Sequence, residues 1–273
     1  MVVDTAFNRD RYLFSFSALG CTGSFDLVHP SIFHKLLCAV PEFSLLIATR
    51  NAHKAGEIHA ILGEGFRLST LKDFPAAPTV VEDAPTFAGN ATKKAVELAR
   101  WLAEKHSTFN IQHSTPKFVL ADDSGLEVDA LNGAPGVHSA RFAALDSATS
   151  GNTPDADNNV KLLRLLKDVP PERRAARFHC VIALTPLLPE TTKNASPVCC
   201  ADEFEMQTRL FDGMCEGRIL FAPRGSNGFG YDPLFVPVGF EQTFAELGAD
   251  VKNKLSHRAQ ALHKLREHLG GVR

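Results

Sequence analysis

The chain has 273 residues, 44% of them hydrophobic and 22% charged, the profile of a soluble globular protein with one large domain or two small ones. A formal net charge of −2 gives no overall basic field, which argues against a protein that coats nucleic acid. No apolar run reaches membrane-spanning length: Ile32–Ala48 comes closest and is broken by His34, Lys35, Pro41 and Glu42. The six cysteines (21, 38, 180, 199, 200 and 215) form no C-x-x-C pair and no metal-ligand spacing, so reduced thiols in a cytoplasmic setting are expected.

Met1–Val40 is rich in Phe and Ser, but Asp4, Asp10 and Asp26 do not suit an acid-poor transit peptide, and no charged-then-apolar signal layout is present. Phe43–Thr49 reads as a short buried strand. A polar turn comes next, then a helix with Ile58, Ile61 and Leu62 at helical spacing and Gly63 placed to stop it. A strand, a polar turn and a helix N-terminus suit an anion, because the first backbone N–H groups are unpaired, and Lys54 adds a cation. The alternative is that Thr49 and Asn51 only cap the helix. The Walker pattern G-x-x-x-x-G-K-[ST] is absent.

Phe66–Pro85 is Pro-rich and reads as irregular, ending in Glu82 and Asp83. Phe87–Lys105 has a long helical pattern, with Ala91, Ala95, Leu98, Ala99 and Leu102 on one side and Lys93 and Lys94 on its early turns. His106–Lys117 reads as a polar connection. Phe118–Ala121 is a buried-strand run that leads straight into Asp122, Asp123, Ser124 and Gly125. Two readings are open: a turn, or a strand end that offers carboxylate oxygens to Mg²⁺ and a phosphate.

Leu126–Leu131 alternates like a half-exposed strand, Asn132–Gly136 is a tight turn, and Asp146–Asp157 a polar loop. Asn158–Lys167 reads as an amphipathic helix closed by Pro170 and Pro171, with Val160, Leu162, Leu163, Leu165 and Leu166 as its apolar residues. Arg177–Leu184 is a strong strand candidate, within which His179 is expected to be packed rather than a ligand. After an excursion over Pro186–Ala201, strand-like patterns at Glu203–Phe211 and Glu216–Phe221 flank Asp212-Gly213. Gly225, Gly228 and Gly230 surround Phe229 and Tyr231, so that a planar ligand could approach backbone and aromatic face together. Ser256 is a good N-cap for a final helix, Ala259–Leu269. His257 and Arg258 then oppose the dipole in its first turn, which suggests that they serve a ligand.

Seven blocks, taken in order, resemble the inosine triphosphate pyrophosphatase family: Ala48–Lys54, Thr86–Ala95, Leu120–Phe142, Arg177–Cys180, Asn227–Phe235, Thr243–Leu247 and Lys252–Leu262. The resemblance covers Leu45–Leu269 and sets residues 1–43 apart as an extension of a single catalytic domain, 44–273. It implies an α/β fold with an elongated mixed sheet, flanking helices and two lobes around a central cleft, usually a homodimer. The implied reaction is Mg²⁺-dependent hydrolysis of ITP, dITP and XTP to the monophosphate and pyrophosphate, which cleanses the nucleotide pool.

Carried over by position, Thr49, Asn51, Lys54 and Lys94 would hold the triphosphate, and Ser124 would touch substrate. Asp123 would be general base and metal-site carboxylate, with Glu82 the best match for the second metal carboxylate. Phe229, Gly230, Tyr231, Asp232, Lys252, His257 and Arg258 would form the base pocket. Gly89 departs from the Glu that the family often carries before the Asn of its second block, and there are insertions at about His106–Lys117 and Pro186–Ala201.

Overall fold

The computed structural model describes residues 43–106, 116–146, 151–187 and 203–270. Residues 1–42, four of the six cysteines, most of both expected insertions and part of the Asp146–Asp157 loop lie outside the described residues.

Phe43–Ile47 (β1) is a strand because Leu45, Leu46 and Ile47 are buried on both faces of the sheet, as the apolar run requires. Helix α1, Ala52–Leu62, starts at Asn51, whose Oδ1 accepts the backbone N–H groups of His53 and Lys54 at 2.9 and 3.1 Å. It ends at Gly63, where φ is +69°. Phe66–Thr70, expected to be irregular, is a strand (β2). It is an edge strand that pairs in parallel with β1 and is only half-buried, so its alternation is muted in the sequence.

The remaining strands are β3 (Phe118–Val128), β4 (Ala175–Pro186), β5 (Arg209–Ile219) and β6 (Phe235–Pro237). They complete one open, mixed sheet in the order β2-β1-β3-β4-β5-β6, with β2, β1 and β3 parallel and each later pair antiparallel. Two expectations are corrected by this sheet. Asp122–Gly125 is neither a turn nor a strand end: β3 runs through it, held by β4 in the register Asp122↔Ile182 to Gly125↔His179. Asp212-Gly213 likewise lies inside β5, while Glu203–Gln207 is helical (α4). Gly213 is needed for close approach, since a Cβ there would sit 2.1 Å from the His257 carbonyl oxygen.

Helix α2 (Phe87–His106) covers one face of the sheet, with Ala91, Ala95, Leu98, Ala99 and Leu102 against Val119, Ala121, Val181 and Ala183. On the other face, α1 and the last helix, α7 (His257–Gly270), pack Ile58, Leu62, Ala261, Leu262 and Leu265 against Leu120, Cys180 and Ile182. A third cluster lies towards the C-terminal end of β3, where Leu126, Val128, Phe178, Phe235 and Phe244 meet Leu162 and Leu166. The helix that supplies Leu162 (α3) begins at Asp155, three residues earlier than expected, and leaves Val160 and Leu165 exposed. Short helices α5 (Phe244–Leu247) and α6 (Ala249–Leu255) lead into α7.

The alternation of β3 separates the two aspartates. Val119 and Ala121 point to α2 and Leu120 to α1 and α7, so Asp123 falls on the α2 side and Asp122 on the opposite one.

Candidate active site

The pairing of β1 with β3 ends at Ile47↔Leu120, whereas β3 continues to Val128. The sheet therefore steps back just where the two aspartates begin, and a cleft of about 790 Å³ opens there. Every site residue anticipated from the sequence lines this cleft.

Asp122 is saturated. It accepts Lys54 Nζ at 2.6 Å, Arg258 Nε at 3.0 Å, Ser124 Oγ at 3.1 Å and the Cys180 thiol at 3.1 Å. Burial pushes its carboxyl group up, but Arg258 and Lys54 outweigh that and hold it well below the usual carboxylate range. In return, Asp122 overcomes the burial that disfavours the Lys54 ammonium and raises its pKa. Such a carboxylate has no capacity left for a substrate proton; it orients the two cations.

Asp123 is different. Its Oδ2 accepts Asn90 Nδ2 at 3.0 Å, and its Oδ1 lies 3.7 Å from Lys94 Nζ. Burial raises its pKa, Lys94 and Lys54 oppose this only in part, and Glu82 adds to the rise. Lys94 Nζ is also 3.3 Å from Glu82 Oε2 and donates to the Asp122 carbonyl oxygen at 2.6 Å. Asn90 and Lys94 are one helical turn apart on α2, which brings both to the Asp123 side of β3. Half-buried Glu82 and buried Asp123 are thus two hard oxygen donors separated by one ammonium.

Thr49 and Asn51 take part in the cap of α1 and also line the cleft beside Lys54. Thr49 Oγ1 accepts the Asn51 N–H at 3.1 Å, and the Asn51 side chain caps the helix. At Gly89, an added Cβ would lie 2.8 Å from that of Ala84, so the family's frequent Glu does not fit here without a shift.

The far end of the cleft is aromatic. The Phe229 ring has Lys252 Nζ 4.5 Å from its centre and the His53 ring stacked at 5.3 Å. Asp232 accepts the Phe229 N–H at 2.9 Å and Lys252 Nζ at 2.5 Å, while the Gly230 N–H donates to Asp155 at 2.6 Å. The Tyr231 hydroxyl is tied to the Ser139 carbonyl oxygen at 2.9 Å. The two side chains that oppose the dipole at the start of α7 both line the cleft. Arg258 is paired with Asp122 and Glu57, and burial together with Arg258 and Lys252 holds His257 well below its ordinary pKa and therefore neutral. Its ring stacks on Phe178 at 4.8 Å, and its buried Nδ1 has no hydrogen-bond partner among the described residues.

Glu57, Asn90, Asp155 and Cys180 were not anticipated from the sequence. Glu57 links the two ends of the site by bridging Lys252 at 2.8 Å and Arg258. Its signal was available: on α1 it lies three residues after Lys54, on the same face of the helix.

The sequence matches the model of the Ham1 family over residues 45–268. A dITP/XTP pyrophosphatase of Shouchella clausii is 41% identical over 228 residues, 84% of this chain and 97% of the relative. One of Geobacter sulfurreducens is 45% identical over 227 residues, 83% of this chain and 96% of the relative. The solved structure of the Staphylococcus aureus Ham1 protein aligns with a TM-score of 0.64 at 32% identity, covering 84% of this chain and all of that one (100%). That of the Mycobacterium abscessus dITP/XTP pyrophosphatase aligns with a TM-score of 0.56 at 37% identity, covering 82% and 98%.

Proposed function

The chain belongs to the Ham1 family, and we propose that it hydrolyses non-standard purine nucleoside triphosphates (ITP, dITP and XTP) to the monophosphate and pyrophosphate. The observation that carries this reading is the unequal pair on β3: Asp122 spent on Lys54 and Arg258, Asp123 raised in pKa and open to the cleft.

In this reading the triphosphate lies along Thr49, Asn51, Lys54 and Lys94, with Ser124 touching it. Asp123 takes the proton of the attacking water as general base and directs it at the α-phosphorus. Lys54 and Lys94, fixed by the two aspartates, meet the charge that develops on the leaving pyrophosphate. Glu82 and Asp123 fit a Mg²⁺ ion, which is commonly held by one or two carboxylates plus substrate phosphates. When bound, the ion supplies neutralisation of phosphate charge in the transition state. Among the described residues no cluster of three or more acidic, His or Cys ligands exists, and in this reading substrate oxygens complete the shell.

The base lies against Phe229, Gly230, Tyr231 and Asp232, near Lys252, His257 and Arg258. Nearly all of the Arg258 donors are engaged by Asp122, Ser124 and Glu57, so discrimination falls chiefly on His257. Its neutral ring offers one N–H to a 6-oxo group, whereas a 6-amino group leaves that donor unpaired at a cost of about 1–3 kcal/mol.

A cytoplasmic setting is supported by the buried, unpaired thiols of Cys180 and Cys215 and by the lack, among the described residues, of any helix long and apolar enough to cross a membrane. The homodimer rests on the family resemblance, and the molar mass in solution tests it.

The activity is tested by pyrophosphate release from ITP, dITP, XTP, GTP and ATP, with Mg²⁺ and with EDTA. Metal-dependent release from ITP, dITP and XTP, far faster than from ATP and GTP, is expected. Release of orthophosphate would overturn attack at the α-phosphorus.

A further inference from the structure

Six lysine and arginine side chains line the cleft: Arg50, Lys54, Lys94, Arg141, Lys252 and Arg258. Four are paired with carboxylates: Lys54 with Asp122, Lys94 with Glu82 and Asp123, Lys252 with Asp232 and Glu57, and Arg258 with Asp122 and Glu57. Arg50 is exposed and donates to the Ala77 carbonyl oxygen at 2.9 Å. Arg141 is half-buried, and among the described residues it pairs with no carboxylate. Its Nη2 donates to the main-chain oxygen of Glu82 at 3.2 Å, and the rest of the fork has no protein partner there.

The segment that carries it is firmly held. Gly136–Arg141 is a 3₁₀ turn. Ser139 Oγ donates to the Gly136 carbonyl oxygen at 2.6 Å and accepts the Leu126 N–H of β3 at 2.9 Å. The Ser139 carbonyl oxygen accepts the Tyr231 hydroxyl, and the Ala140 carbonyl oxygen accepts the Thr153 N–H at 3.0 Å. Gly125 lets this turn lie against β3, because a Cβ there would sit 2.4 Å from the Gly136 oxygen. Arg141 is thus delivered beside Glu82 on a pinned backbone, with planar donors facing a cleft already proposed to hold phosphates. A guanidinium matches phosphate oxygens in this way.

Lys54 and Lys94 already neutralise carboxylates of the protein. The leaving pyrophosphate gains charge as the α–β bond breaks, and beside Lys54 and Lys94, whose charge is shared with those carboxylates, Arg141 is the half-buried cation of the cleft that has no carboxylate partner among the described residues. We propose that Arg141 is a substrate-binding residue that holds a phosphate oxygen of the pyrophosphate half next to Glu82. This rests on the pyrophosphatase reading of the site.

The test uses the full chain and its Arg141→Gln and Arg141→Lys variants, each first checked for an unchanged melting temperature. Calorimetry measures binding of pyrophosphate and of IMP without Mg²⁺, and steady-state kinetics measures ITP turnover with it. For Arg141→Gln, pyrophosphate binding and kcat/KM for ITP are each expected to fall about tenfold or more, with IMP binding unchanged and part of the loss restored in Arg141→Lys. Pyrophosphate binding within twofold of wild type overturns the proposal. A changed Mg²⁺ requirement with intact pyrophosphate binding does so too, since it reduces Arg141 to a latch on Glu82. Absence of ITP turnover in the wild type would instead count against the pyrophosphatase reading, and the binding arm would still report on Arg141.

Discussion

At the scale of single residues, two neighbouring carboxylates have opposite tasks because a strand alternates. The sequence displays Asp122-Asp123 plainly, yet it leaves a turn reading open because Asp, Ser and Gly are themselves turn residues. What could not be read was which face each aspartate takes and which cations wait there, since Lys54, Lys94 and Arg258 are 68, 28 and 136 residues from Asp122. The division predicts two different variants. Asp123→Asn should keep a melting temperature at or above that of the wild type and bind nucleotide without Mg²⁺ as the wild type does, while kcat falls about 10²–10⁴-fold. Asp122→Asn should lose about 3–5 kcal/mol of stability, because Lys54 and Arg258 are left buried beside a neutral amide. The pH dependence stems from the lowered pKa of Asp122: its contribution is complete above the unfolded value of about 3.9 and is lost as pH falls through the lower folded value. Urea midpoints of wild type and Asp122→Asn should therefore differ by a constant amount at neutral pH and converge below about pH 4. A gap that persists unchanged into strong acid would show that Asp122 is not held as the ionised member of this network.

At the scale of elements, glycines were the hardest residues to interpret. Asp212-Gly213 has the composition of a turn, and the strand pattern on either side invites a break there. Gly213 instead lies mid-strand, paired with Cys180, because α7 presses its first turn onto β5. Such a contact involves a partner more than forty residues away, so no local pattern announces it. By contrast, the turn at Gly63 and the cap at Asn51 are local devices and were legible. The packing carries a functional consequence, since His257 and Arg258 sit on the turn that touches Gly213. In Gly213→Ala the new Cβ would meet the His257 carbonyl oxygen at 2.1 Å and the Ala261 nitrogen at 2.7 Å. The helix must move, at a cost of about 1–3 kcal/mol. The expected outcome is a lower unfolding midpoint together with a larger KM for ITP than stability loss alone would give. A destabilised variant with an unaltered KM would separate the packing of α7 from the base pocket.

At the scale of the whole molecule, the cleft unites segments from β1 to α7, and Glu57 connects its two ends through Lys252 and Arg258. The seven sequence blocks contain most of the cleft lining, Arg141 included, but a block does not say what each residue touches, and Glu57, outside all seven, acts through distant partners. The unliganded site also holds an electrostatic conflict. Asp123 has the sign opposite to Asp122: what it contributes is present in acid and is lost as pH rises through its raised pKa, with Glu82 adding to the repulsion. In the proposed reading, a cation held by Glu82 and Asp123 would add to the partial relief that Lys94 gives at neutral pH, so ligand should be worth more to this fold than its contact area suggests. A ligand at 100 times its Kd adds about 2.7 kcal/mol to the folded state, which for a domain of this size means several degrees in Tm. Scanning fluorimetry at neutral pH with Mg²⁺ and pyrophosphate together should show that rise in the wild type. Because Asp123→Asn already removes the repulsion and one hard donor, its own Tm without ligand should equal or exceed that of the wild type, and its gain on adding Mg²⁺ and pyrophosphate should be markedly smaller. An equal gain in both proteins would take Asp123 out of the cation site and leave it the general-base role alone.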